Sequence, residues 1–291
     1  LKVLFGYLPE EIRSEPEIGI VITVPAAFNQ LQKEATKKAA SLAGIGNVAL
    51  MQEPVAAVMS VMKSLKSEGI FVIYDLGGGT LDISIAESIS GRINLLSEGG
   101  IAMCGGRDFD RKILSNIVKP WLIKNFELPD DLSINEDYKS LLRLCNWAIE
   151  KAKIELSSKE EALISLSENE IRLKDLKGED IFLDVALTRT IYNELIEKQV
   201  QESIQAIRDS VKKAGIKLED LEKIVFVGGP TNYKPLRDKI SFELGIQGGV
   251  EVNPMTAVAE GASIFAESID WSSESRKRKS STTKIVNNGE I

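Results

Sequence analysis

The sequence predicts an α/β fold with a smaller α+β insertion around residues 108–184. Three observations carry this. Short apolar runs at residues 18–24, 70–74 and 223–227 read as buried strands. Stretches with helical periodicity separate them. Glycine clusters stand directly after two of the runs, at Gly77, Gly78 and Gly79 and at Gly228 and Gly229.

The elements follow in order. Residues 18–24 form a strand closed by Pro25. Asn29 with Gln32 three residues later matches a capping box. Phe28, Leu31, Ala35, Ala39 and Leu42 then recur at helical spacing until Gly44 stops the helix. Residues 48–51 read as a short strand, and Glu53-Pro54 opens a helix rich in Ala, Val and Met to about residue 64. Residues 70–74 form a second continuous strand, left sharply through Asp75-Leu76-Gly77-Gly78-Gly79-Thr80. Leu81, Ile83 and Ile85 alternate with Asp82, Ser84 and Ala86, which predicts a paired strand and hairpin. Gly99-Gly100 and Gly105-Gly106 punctuate the next stretch. From residue 108 to about 156 the pattern is helical, broken at Pro120 and Pro129. Its last piece buries Leu141, Cys145, Ala148, Ala152 and Leu156. Strand candidates follow at residues 162–166, 170–173 and 181–185. Residues 188–214 read as one long helix ended by Gly215. The strand at 223–227 leaves through Gly228-Gly229-Pro230 into a helix reaching about residue 244. Residues 254–268 make a last helix, and the polar stretch beyond, basic at residues 276–279, reads as a linker or tail. No internal repeat is visible.

Composition narrows the chemistry. The 291 residues fit one large domain or two smaller ones, at 43% hydrophobic and 27% charged residues. A net charge of -7 argues against a nucleic-acid partner. No run of about 18 apolar residues is present to span a membrane, and the first 16 residues do not read as a signal peptide. With 2 cysteines and 0 histidines, zinc-hydrolase, Ser-His-Asp and Cys-His chemistry are excluded. A reduced, cytoplasmic setting is expected. The absence of an initiating Met reads as a fragment.

The strongest chemical signal is Asp75 through Asp82. Three glycines after a buried strand let backbone N–H groups approach an anion. Asp75 at the strand end can hold a hydrated Mg²⁺ or orient a water, and Thr80 can bond a terminal phosphate. Asp82 adds a second charge for a cation. This suits phosphoryl transfer; a structural Gly-rich turn is the competing reading. Gly228-Gly229 repeats the strand–glycine–helix arrangement. Glu53 alone reads as a helix-start acid. Glu150, Lys153 and Ser157 share one helical edge, which fits either a ribose contact or a solvated charged face. Residues 44–49 match the dinucleotide pattern only in letters, since they follow a helix, and no Walker-type loop is present.

The order of these segments resembles the ATPase domain of the DnaK-type, seventy-kilodalton heat-shock chaperones. The resemblance rests on Ile22-Thr23-Val24-Pro25-Ala26-Ala27-Phe28-Asn29, Gln52-Glu53-Pro54-Val55-Ala56-Ala57, Asp75 to Thr80 and Gly105-Gly106-Arg107-Asp108-Phe109-Asp110. It continues through residues 153–158, 227–231 and 253–262 and covers roughly residues 18–268. It implies an actin-like (ribonuclease H-like) fold of two lobes, with ATP or ADP and Mg²⁺ in the cleft and K⁺ admitted. Residues 1–17 would be a remnant of the outer part of lobe I, 18–64 and 251–269 its inner part, 65–107 and 185–250 the inner part of lobe II, 108–184 its outer part, and 270–291 the tail. The resemblance further implies that Asp75, Glu53 and Thr80 are catalytic and that Asp75 and Asp82 serve the metal. Gly77, Gly78, Gly79, Thr80, Glu150, Lys153, Ser157, Gly228, Gly229 and Asn232 would hold the nucleotide. Pro25 and Lys33 would couple nucleotide state to a peptide-binding domain. Implied partners are unfolded polypeptide clients, J-domain proteins and nucleotide-exchange co-chaperones.

The chain departs from the pattern at several positions. The first phosphate loop and catalytic lysine of the family fall before Leu1. Lys33 stands for an arginine, losing bidentate bonding. Ile154 and Asn232 stand for the two arginines that sandwich the base, which removes cation–π stacking. Arg107 stands where an acid is usual and Met255 where an aspartate is usual. The expectation is a divergent chaperone ATPase domain with weak or no turnover alone. A degenerate nucleotide-sensing module and an actin-like filament protein are the alternatives.

Overall fold

The computed structural model describes residues 1–15, 18–65, 68–132, 135–249 and 252–271. The basic run at residues 276–279 and the rest of the expected tail from 272 onward lie outside the described residues.

Two short helices, α1 (Lys2–Gly6) and α2 (Glu10–Arg13), precede β1 (Gly19–Val24), α3 (Gln30–Leu42) and β2 (Asn47–Gln52). β1 and β2 pair in parallel, from Gly19 opposite Asn47 to Val24 opposite Gln52, with α3 as the crossover. The expected capping box starts α3: the Gln32 N–H donates to Asn29 Oδ1 at 3.0 Å and the Asn29 N–H to Gln32 Oε1 at 2.9 Å. Gly44, at φ +79°, follows the helix end. The apolar stripe on α3 is not its inward face. Leu31 and Leu42 are exposed, and Ala40 meets Ile45 and Val48 instead.

The chain continues through α4 (Glu53–Leu65), β3 (Gly69–Leu76), β4 (Thr80–Ile89), β5 (Arg92–Ala102) and α5 (Gly106–Ile113). Gly99 and Gly100 lie inside β5 instead of marking a turn. A Cβ at Gly100 would come within 2.5 Å of the Leu81 carbonyl oxygen, so glycine lets the strands close up there. α5 passes through a single π-turn (Leu114–Val118) straight into α6 (Lys119–Asn125). The expected break at Pro120 is therefore absent. Proline falls in the first turn of α6, directly after the π-turn, and the helix runs on through it. Pro129 does lie outside helix, between α6 and α7 (Glu136–Glu155).

Next come β6 (Glu161–Leu166), α8 (Glu168–Ile171), β7 (Leu183–Thr188), α9 (Arg189–Ala214), β8 (Leu221–Val227), α10 (Lys234–Leu244) and α11 (Ala257–Glu267). Of the strand expected at 170–173, the first two residues end the helical turn α8 and Arg172 follows it in the left-handed region. The Ser167 N–H and hydroxyl both donate to Glu170 Oε2, at 2.8 and 2.7 Å, and this cap outcompetes extended backbone. β6 and β7 form an antiparallel pair.

The central sheet has the order β5-β4-β3-β8, with β3 parallel to β8 and antiparallel to β4. One face, including Tyr74, Leu81, Ile83 and Ile85, packs against buried residues of α5, α7 and α9. The other face, with Phe71, Ile73, Ala86 and Val225, packs under α4 and Phe265 of α11. Both faces are covered, which is why Ser84 and Ala86 are buried along with the alternating apolar residues of β4. α4 and α11 cross closely enough that a Cβ at Gly261 would lie 1.7 Å from the Ala56 carbonyl oxygen.

Candidate functional site

The carboxyl ends of parallel strands are where open α/β sheets form ligand crevices. β3 and β8 pair up to Asp75 opposite Val227, so Asp75 and Gly228 leave adjacent strands together. β1 and β2 pair up to Val24 opposite Gln52, so Pro25 and Glu53 also leave together. Gln52 Nε2 donates to the Ala26 carbonyl at 3.2 Å and ties the two exits.

Three carboxylates converge here. The β3–β4 hairpin sets Asp82 opposite Asp75. Burial, and then the charge of Asp82, pushes Asp75 up to about 6. Burial, and then the charges of Asp75 and Asp82, pushes Glu53 up to about 7. Asp82 is raised by burial, against a lowering hydrogen bond from the Thr80 hydroxyl at 3.3 Å. Among the described residues no lysine or arginine offsets these shifts. Nor does any group of three acids, cysteines or histidines sit close enough to cage a metal directly. Acids that feel one another's charge without forming a cage fit Mg²⁺, which keeps several of its waters.

The glycine loop is fixed from behind. The Gly77 N–H donates to the Thr80 carbonyl at 2.9 Å. The Gly77 and Gly78 carbonyls accept from the N–H groups of Gly106 and Arg107, at 3.0 and 2.8 Å. A Cβ at Gly105 would lie 2.4 Å from the Gly79 nitrogen, so the two loops stack only because glycine stands there. The N–H groups of Gly78 and Gly79 find no acceptor among the described residues, which leaves two donors open to an anion. Gly228 adopts φ +90°, and a Cβ on it would meet the Leu76 carbonyl oxygen at 2.1 Å and Asp75 Oδ1 at 3.4 Å. The second glycine turn therefore rests on the first. The buried Thr231 hydroxyl holds that turn by donating to the Gly228 carbonyl at 2.7 Å.

The edge of α7 adds a different result. Lys153 Nζ donates to Asp110 Oδ1 at 2.6 Å and to the Gly106 carbonyl at 3.0 Å. It braces α5 against α7, next to the Pro230 ring side of Gly106. Glu150 is exposed and close enough to Asp110 to raise its pKa. The Ser157 carbonyl accepts from Arg189 Nη2 at 3.3 Å. Asn232 folds its amide back onto the Gly229 carbonyl at 3.0 Å. Ile154 and Met255 are exposed, with Met255 Sδ 3.4 Å from where a Cβ of Gly229 would stand. Lys33 is half-buried on α3, and its side chain makes no ion pair among the described residues.

Sequence reasoning marked Gly105-Gly106 only as a punctuating glycine pair and reached Arg107 only through the resemblance. The structure adds that they lie against the Gly77–Gly79 loop; the available signal was a Gly-Gly pair at the start of a helix.

The sequence matches the family described as Hsp70 protein over residues 9–276, a span that includes every element of this site. Match and geometry lead to one conclusion: the chain belongs to the Hsp70 protein family.

Proposed function

We propose that the chain binds ATP or ADP with Mg²⁺ between the Asp75–Thr80 and Gly228–Asn232 turns, and that hydrolysis there switches affinity for unfolded polypeptide. The observation that carries this is the pair of open N–H groups at Gly78 and Gly79 beside three unoffset carboxylates. Mg²⁺, when bound, neutralises charge on the phosphates. Glu53, Asp75 and Asp82 would hold it through its waters, and Asp75 would orient the water that attacks the terminal phosphorus and take up its proton as the bond to the nucleoside diphosphate breaks. The Gly78 and Gly79 N–H groups and the Thr80 hydroxyl hold the terminal phosphate. Glu150, Lys153, Ser157, Gly228, Gly229 and Asn232 form the adenosine side, with Lys153 acting through its brace on Gly106. The actin-like division into two lobes belongs to this reading. So do coupling through Pro25 and Lys33, co-chaperone partners, K⁺ and a cytoplasmic location.

The test is calorimetric titration with Mg-ATP and Mg-ADP alongside a turnover assay. Saturable binding that Gly229→Trp weakens supports the reading, and binding of neither nucleotide sinks it. A sensing module without turnover is the second reading, favoured by Ile154 and the folded-back Asn232, which leave the base without a cationic stack. It predicts binding with no hydrolysis even at saturating Mg-ATP.

A further inference from the structure

Arg107 is the feature of this cleft that the nucleotide reading does not use. Its backbone N–H is anchored to the Gly78 carbonyl at 2.8 Å, and its Nε reaches the same oxygen at 3.4 Å. The guanidinium therefore lies along the glycine loop. A Cβ on Gly78 would stand 3.4 Å from Nε and 3.7 Å from Nη2, and one on Gly79 would stand 3.5 Å from Nη2. Those are the two residues whose N–H groups are open. The side chain is exposed and has no carboxylate partner among the described residues, whereas its neighbour Arg111 is held by Asp108 at 2.7 Å.

The electrostatics of the loop favour such a group beside the bound Mg²⁺. A phosphate chain brought to Gly78 and Gly79 comes near three carboxyl groups, Glu53, Asp75 and Asp82, that already disfavour one another's charge. Lys153 is committed to Asp110 and the Gly106 carbonyl. Guanidinium is planar, always charged, and binds phosphate oxygens in pairs. We propose that Arg107 clamps the terminal phosphate of the bound nucleotide against the Gly78–Gly79 loop and so selects polyphosphate over uncharged ligands. This rests on the nucleotide-binding reading of the same site. It assigns a cationic role at a position where the resemblance carries an acid.

The experiment is calorimetric titration of the full chain and of Arg107→Ala and Arg107→Lys with Mg-ATP, Mg-ADP and adenosine. Charge-assisted contacts of this kind set the expected scale. Arg107→Ala should weaken Mg-ATP roughly ten- to hundredfold, leave adenosine unchanged, and flatten the salt dependence of Mg-ATP binding. Arg107→Lys should fall between, since it keeps the charge and loses the fork. Arg107→Ala binding Mg-ATP as tightly as the parent overturns the clamp while leaving the nucleotide reading intact. Equal weakening of Mg-ATP and adenosine also overturns it, since that is the signature of a damaged fold. A parent chain that binds none of the three overturns both.

Discussion

Asp75 and Glu53 carry a stability cost whose sign follows from their surroundings. Both hold protons in the folded protein at pH values where the unfolded chain has released them. Stability of the ligand-free protein therefore falls as pH rises from the ordinary carboxylate range through about 6 for Asp75 and about 7 for Glu53. Asp75→Asn should accordingly raise the melting temperature at pH 8, by about 1 kcal/mol of stability, and much less at pH 5, while abolishing ATP turnover. Thermal melts at both pH values check this, and an equal effect at the two would count against burial and mutual repulsion as the cause. Lys153 presents the opposite case. It is paired with Asp110 at side-chain exposures of 11% and 10%, so removing it strands a buried carboxylate. Lys153→Met should cost about 3 kcal/mol in urea unfolding, and adding Asp110→Leu should recover much of that. No recovery in the double variant would show that the pair is not what Lys153 contributes.

At the scale of elements, the α4–α11 crossing is set by small residues. Gly261 meets the Ala56 backbone with no room for a side chain, so Gly261→Ala should lose roughly 1–3 kcal/mol despite alanine's better helix propensity. A denaturant midpoint that rises instead would mean that the crossing relaxes freely. This contact was not legible beforehand, because residues 56 and 261 are brought together only by the fold. What was legible depended on local signals. The β-branched runs at 70–74 and 223–227 are strands largely buried on both faces, while the run at 18–24 pairs with β2 and is half-buried up to Val24. Asn29 and Thr188 start helices because their side chains accept from N–H groups of the first turn. Pro120 misled because a π-turn ahead of it lets the helix run on, and residues 170–173 misled because Ser167 and Glu170 cap each other. The same division holds in the site. Asp75 and the two glycine turns could be read as strand exits. The stacking of Gly105 on Gly79, the Lys153–Asp110 pair and the reach of Arg107 along Gly78 could not, since each joins residues distant in sequence.

At the scale of the whole molecule, the site draws on two sheets. Glu53 leaves the β1–β2 pair, while Asp75 and Asp82 belong to the central sheet, and their charges interact across the gap. α4 begins at Glu53 and packs on the central sheet, so one helix touches both layers. A ligand that neutralises all three acids removes a repulsion acting between the layers. Bound at about a hundred times its dissociation constant, it should add about 2.7 kcal/mol to the folded state. Amide hydrogen exchange locates that gain. Mg-nucleotide should slow exchange in β1 and β2 as well as in β3 and β4, and Glu53→Gln should remove the added protection from β1 and β2 while sparing β3 and β4. Protection confined to the central sheet in the unsubstituted protein would mean that the ligand contacts only the Asp75 side, and Glu53 would then return to being a helix-start acid.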